Sequence, residues 1–276
     1  MLKIDAHQHF WKFDPVRDSW ITDEMRLLKK DYLPQDLQPV LNANGFDGCI
    51  VVQSDQSLKE NSFQLTNSEN FDFVKGVVGW TDLQSDSLEE RLEYYSQFKK
   101  FKGFRHVLQC ESQRDFMLRP DFLKGISLLR KYGFTYDILI FPDQLNFVKK
   151  LVAAFPDQRF VINHLAKPYI KDKILEKWRT EILALAEHCN VFCKISGMVT
   201  EAAWNNWILT DFDPYLDVVI QGFGTERVMF GSDWPVCMLS ASYSEVYKIT
   251  KRYFSSYSIP EQEKIFGGNA IDFYSL

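Results

Sequence analysis

The chain of 276 residues has no uninterrupted apolar stretch close to the roughly 18 to 20 residues that cross a bilayer. Its first fourteen residues carry Lys3, Asp5, His7 and His9 where an export signal would hold an apolar core. A cytoplasmic location is therefore expected, with no membrane partner. A basic block is also missing: 32 Lys plus Arg stand against 37 Asp plus Glu, a net charge of -5. Without a concentrated cationic surface there is nothing to replace the counterions of a nucleic acid, so no nucleic-acid partner is expected. Cysteine is scarce and odd in number. Cys49, Cys110, Cys189, Cys193 and Cys237 sit mostly in apolar strand-like runs and read as reduced packing residues, with no disulfides. His188-Cys189 followed by Cys193 lacks a second paired motif and also reads as packing. No Gly-x-Ser-x-Gly elbow, Gly-rich phosphate loop or dinucleotide fingerprint follows any strand, which removes support for hydride and phosphoryl transfer.

What is present is a recurring alternation. Runs rich in Val, Ile and Phe occupy residues 2–9, 47–53, 73–80, 102–109, 135–141, 159–164, 191–196 and 227–233. Segments with helical spacing lie between them, among others 87–98, 119–131, 142–155, 173–188 and 213–223. Strands joined by helical crossovers lie parallel, and eight such units close a (β/α)8 (TIM) barrel of α/β class, expected here as one domain over residues 1–276. The stretch 11–39 is long for a βα connection and contains Trp20 and Pro34, so it is expected to cross the barrel mouth as a substrate cover.

Reactive groups of such barrels come from the carboxyl ends of the strands, and that criterion sorts the histidines. His7 and His9 end the first run and share a face with Gln8 turned away, so two imidazoles converge at one rim. The pair suits one metal ion, or, as neutral imidazoles, a hydrogen-bonded carbonyl without metal. His164 ends the sixth run, whereas His188 precedes the seventh and belongs to the opposite face. Asp233 closes the eighth run, beside the first in a closed barrel, where a carboxylate can take a proton from water or hold a cation. Arg105 and His106 are neighbours, so a regular strand sends one of them inward; alternation does not settle which, and Arg105 is preferred for the fixed donors of its guanidinium. Together these groups describe a site that activates water against a carbonyl-type centre.

Five segments in order at strand ends carry a family resemblance: Asp5-Ala6-His7-Gln8-His9-Phe10-Trp11, Gly103-Phe104-Arg105-His106, Asn163-His164-Leu165-Ala166-Lys167-Pro168, Lys194-Ile195-Ser196-Gly197 and Gly231-Ser232-Asp233-Trp234-Pro235-Val236. The chain resembles the amidohydrolase superfamily, and within it the branch of sugar-acid lactonases, over essentially its whole length. The resemblance implies hydrolysis of an aldonolactone ring, with Asp233 matching the proton-abstracting aspartate and His7, His9 and His164 the metal-binding or carbonyl-polarising histidines. Strand four reads Phe104-Arg105-His106 and strand five Thr135-Tyr136-Asp137-Ile138, without the carbamylated lysine and the histidine of binuclear members, so two metals are not expected. Asn163 and Ala166 also stand where the branch more often has Asp and Gly.

In the mechanism this implies, Asp233 deprotonates water, and Arg105 or the His7/His9 pair stabilises the oxyanion. His164 or the protonated Asp233 then serves the leaving oxygen. If a cation takes part, His7, His9 and Asp233 are its expected ligands and zinc the first choice for such donors; an activated lactone also allows hydrolysis without metal. Trp11, Gln53, Trp80 and Trp234 are the expected substrate-binding residues, the rings covering a sugar face and the amide reading hydroxyls. The rival readings are a metal-dependent decarboxylase of the same superfamily and a non-catalytic sugar-acid binding barrel.

Overall fold

A computed structural model describes residues 1–276. Its eight strands are β1 (Ile4–Gln8), β2 (Gly48–Val52), β3 (Val74–Gly79), β4 (Phe101–His106), β5 (Thr135–Ile138), β6 (Phe160–Ile162), β7 (Val191–Ile195) and β8 (Val228–Phe230). They form one parallel sheet in sequential order, and the expected (β/α)8 barrel is the fold observed. Strands such as Gly-Cys-Ile-Val-Val in β2 are buried along their whole length because helices cover one face and the barrel interior the other. No helix is long and apolar enough to cross a membrane, and all five cysteines are free.

The helices follow from apolar spacing and end signals. α1 (Pro34–Asn44) starts on proline and stops at Gly45 in the left-handed region. α2 (Leu58–Asn70), α3 (Leu88–Ser96) and α4 (Pro120–Leu129) follow, then α5 (Leu145–Ala154), which buries Leu145, Val148, Leu151 and Val152 three or four apart. Next come α6 (Glu176–Ala186), the short α7 (Met198–Glu201) and α8 (Asp213–Phe223). α9 (Tyr243–Tyr253) opens with a capping box in which Ser242 and Glu245 satisfy each other's backbone amides. α10 (Ile259–Glu263) and α11 (Asn269–Tyr274) end the order.

Most expected strands overrun the observed ones at their carboxyl ends, since residues 53, 80, 139–141, 163–164 and 231–233 leave the ladder to turn into the mouth. The cover is shorter than expected: Trp11 and Tyr32 exchange both backbone hydrogen bonds at 2.9 Å, and α1 begins at Pro34.

Two layers fill the barrel interior. The lower is apolar, with Ile4, Ala6, Ile50, Val52, Val78, Val161 and Met229 packed against Ala270, Phe273 and Tyr274 of α11. The last helix therefore plugs the end of the barrel opposite the mouth. The chain before it passes so close to β1 that a Cβ on Gly267 would come 1.9 Å from the Leu2 carbonyl oxygen, which only glycine avoids.

Phe273→Ala, which empties part of this plug, is expected to cost about 3–5 kcal/mol in urea denaturation. Ile259→Ala on exposed α10 should stay within about 0.5 kcal/mol of the parent.

Candidate active site

The barrel closes between β1 and β8, and that seam builds the site. Asp5 Oδ1 accepts the amide of His7 at 3.1 Å and that of Ser232 at 2.9 Å. This double bond accompanies a register shift between Asp5 and Gln8, and a bulge of that kind re-aims side chains. Asp5 and Gln8 turn outward, Gln8 to Cys49 Sγ, while the rings of His7 and His9 converge with their Nε2 atoms 3.2 Å apart. The seam continues with Asp233 N donating to His7 O and His9 N to Trp234 O, both at 2.8 Å. Asp233 sits at φ +59°, a left-handed conformation that swings its carboxylate over the histidines.

His9 Nδ1 donates to the Val52 carbonyl at 2.7 Å, so the lone pair on its Nε2 faces Asp233 Oδ1, 3.3 Å away. His7 Nε2 and His164 Nε2 each lie 3.8 Å from the same oxygen. His164 begins a run of four left-handed residues, His164 to Lys167, with φ between 51° and 58° and no glycine among them. Each costs roughly 1–2 kcal/mol. Lys167 N bonds back to His164 O, Trp178 Nε1 holds Leu165 O at 2.8 Å, and Ser196 Oγ meets His164 Nδ1 at 2.9 Å. Gly197, at φ +64°, leaves room for the ring: a Cβ there would come 2.5 Å from His164 Nδ1.

Beneath the histidines lies a buried polar floor. Arg105, Asp137 and Lys194 point inward from β4, β5 and β7. Lys194 Nζ pairs with Asp137 Oδ2 at 2.6 Å and reaches His7 Nδ1 at 3.4 Å. Asp137 also accepts Asn163 Nδ2 at 2.9 Å and the Tyr274 hydroxyl at 2.8 Å. Arg105 donates to the Gln53 carbonyl and to Asn163 Oδ1, and its Nη1 stands 3.3 Å from His7 Nε2. Its buried Nε has no protein partner, so that N–H is left as a spare donor.

Burial governs the charges. It pushes His164 down to about 3 and also lowers His7 and His9, so at neutral pH the three imidazoles are uncharged. Burial pulls Arg105 down to about 10, which leaves it a cation. For Asp233 burial acts upward, but His164, the His9 contact and Lys167 outweigh it and hold the carboxyl below its ordinary value, hence ionised. Since a neutral imidazole lends a dipole and not a full charge, the Lys167 ammonium is the formal cation among those three.

These groups open into a cavity of about 240 Å³ lined by His9, Trp11, Trp20, Ser54, Arg105, Val107, Gln109, Cys110, Leu139, His164, Lys167, Asp233 and Val236. A larger hollow of about 460 Å³ between Ile170 and Tyr215 contains none of the histidines. His7, His9, His164, Arg105 and Asp233 are thus brought together, and Trp11 lines the cavity. Arg105 is the inward member of its pair. His106 faces out, stacked on Phe116 and bonded to Glu111 at 2.7 Å.

Three expected substrate contacts lie off the cavity. Gln53 is buried and spends its amide on the Arg105 carbonyl. The Trp80 indole donates to His106 Nδ1. Trp234 is buried against Phe10 and Tyr32. Each ends a strand run, but its side chain is taken up by these neighbours and does not line the cavity. Sequence reasoning passed over Lys194 and Asp137, whose signal is a charge at an inward position of an apolar strand. It also passed over Lys167, Ser54 and Gln109 on loops, whereas Trp20, part of the expected cover, does line the cavity.

The donor set fits one divalent ion. Ligand atoms of His7, His164 and Asp233 all lie within 4.8 Å of one another, and the facing lone pairs of His9 and Asp233 call for shared positive charge or the hydrogens of a water. His9 Nε2 lies nearer still, 3.3 Å from Asp233 Oδ1 and 3.2 Å from His7 Nε2, so His7, His9 and Asp233 stand together and His164 adds a further donor to that set.

An amidohydrolase family model matches residues 4–276. The chain is 37% identical over 286 residues to L-fucono-1,5-lactonase of Burkholderia multivorans, covering all of this chain and 96% of that protein. It is 32% identical over 278 residues to L-fucono-1,5-lactonase of Burkholderia ambifaria, covering 99% and 96%. A crystal structure of an amidohydrolase from Burkholderia multivorans with bound zinc superposes with a TM-score of 0.97 at 37% identity, each chain covered in full. With the seam, the imidazoles and the aspartate set on a barrel matched from end to end, the chain belongs to the amidohydrolase family.

Proposed function

We propose that the chain hydrolyses the ring ester of a sugar-acid lactone, using Asp233 as the base. The observation that carries this reading is an ionised, buried carboxylate ringed by three neutral imidazoles and a guanidinium with a spare donor. The cavity, about 240 Å³, is below the roughly 300 Å³ at which pockets for drug-sized ligands begin, which suits one sugar ring better than a chain. The similarity to two L-fucono-1,5-lactonases supports the same class of substrate.

Asp233 Oδ1 accepts a proton from water, and the lone pair of His9 Nε2, 3.3 Å away, orients the water's second hydrogen. As the water oxygen adds to the lactone carbonyl, negative charge grows on the carbonyl oxygen, and the Arg105 guanidinium is positioned to receive it. Collapse breaks the bond to the ring oxygen, and the proton held by Asp233 supplies the departing alkoxide. His164, uncharged, takes part through a hydrogen bond and not as an acid. Trp11 and Trp20, their ring centroids 6.2 Å apart, offer apolar surface for a sugar face, and Ser54 and Gln109 offer polar contacts for hydroxyls.

Asp233 and the histidines His7, His9 and His164 would hold a divalent ion, zinc first among candidates for imidazole and carboxylate donors, and it would supply Lewis-acid polarisation of the carbonyl. Base and oxyanion donor are nevertheless both side chains of this protein.

Asp233→Asn is expected to lower kcat on aldonolactones by roughly 10³-fold in a pH-stat assay, with circular dichroism and melting unchanged; near-normal turnover would remove Asp233 from its role. Arg105→Lys should lose roughly 10²–10³-fold in kcat, because an ammonium cannot keep the fixed fork of donors. Turnover should persist in protein shown by metal analysis to be zinc-free, and activity strictly proportional to bound zinc would contradict this.

A further inference from the structure

The left-handed turn after β6 does more than place His164. At helical periodicity of either hand, residues three apart share a face, so one strained turn presents His164 and Lys167 side by side to the same cavity. Strain of this kind persists where the surroundings over-determine it, and it gathers at functional sites. Lys167 is mostly buried, at 18% side-chain exposure, with its Nζ over the Phe141 ring, 5.5 Å from the centroid, and it has one acceptor, Glu201 Oε1 at 3.3 Å. The other cavity cation, Arg105, is committed on two of its three nitrogens to Gln53, Asn163 and the His7 edge. Lys167 therefore carries a positive charge on the cavity wall with donor hydrogens to spare.

Resting on the lactonase reading above, we propose that Lys167 is a further catalytic residue, whose ammonium hydrogen-bonds the ring oxygen as it departs. The step is balanced within that mechanism: water gives one proton to Asp233, the carbonyl carbon gains the water oxygen and loses the ring oxygen, and the ring oxygen ends with the proton from Asp233. Lys167 keeps its own protons and stabilises the alkoxide until that transfer. The product acid then ionises to solvent. Glu201 holds the ammonium at the wall between turnovers. A plain Lys167–Glu201 ion pair would explain the contact, but not why a strained turn directs the lysine into the cavity that contains the base.

The test compares an aldonolactone that the parent protein turns over with the analogue carrying sulfur in place of the ring oxygen. A thiolate leaves without a donor, since thiols ionise near pH 8.5. Lys167→Met is expected to lower kcat roughly 10²-fold on the oxygen lactone and less than about tenfold on the thiolactone, while Lys167→Arg keeps most activity on both. Equal losses on the two substrates overturn the assignment, because a structural role has no reason to distinguish oxygen from sulfur. Should the Met variant fail to fold, Lys167→Gln, which keeps a polar head beside Glu201, reads the same ratio. A parent protein that hydrolyses no lactone of either kind defeats the lactonase reading itself, a result separate from equal losses.

Discussion

The carboxylate of Asp5 is the contact on which the site depends. By accepting the amides of His7 and Ser232 it joins the first strand to the loop after the last and holds the bulge that sends His7 inward. Burial pushes Asp5 up to about 6, partly offset by those hydrogen bonds, so its placement is costly, and the return is geometric. With the seam fixed, His7, His9 and Asp233 have backbone bonds to one another or to their immediate neighbours, and their relative positions do not depend on flexible side-chain contacts.

The floor shows why the histidines need support from below. A buried Lys–Asp pair gains little net stability over an apolar pair of equal volume, because both charges lose their hydration. Here Asp137 offsets part of that loss by serving Lys194, Asn163 and Tyr274 together. The arrangement adds to the electrostatics overhead: burial first lowers His7, and two cations, one near each ring nitrogen, push the same way, so the imidazole stays uncharged. Neutral imidazoles leave the negative charge of Asp233 unspent for the proton of water.

The barrel was legible because its periodicity is repeated: strand-like runs alternate with helical spacing along the chain, and the carboxyl-end rule then picked out His7, His9, His164 and Asp233 without any contact information. The pair Arg105 and His106 was undecidable from alternation and is decided by tertiary packing, since Phe104 and His106 both have aromatic neighbours outside the barrel and Arg105 has Asn163 and His7 inside. Gln53, Trp80 and Trp234 were assigned to the mouth by position along the run, but position does not give direction once a strand leaves its ladder. The turn from His164 to Lys167 could not be read at all, because four left-handed residues without glycine have no local signature; the lysine's place in the cavity is set by what surrounds the turn.

The plug formed by α11 links the order of synthesis to the chemistry. All eight strands leave a ribosome before Phe273 and Tyr274 do, and until those rings arrive the lower end of the barrel is open to solvent. Water entering there would hydrate Asp137 and Lys194 and weaken the low-dielectric surroundings that keep the imidazoles neutral. A nascent barrel would therefore keep its polar floor wet until its last helix docked at the far end.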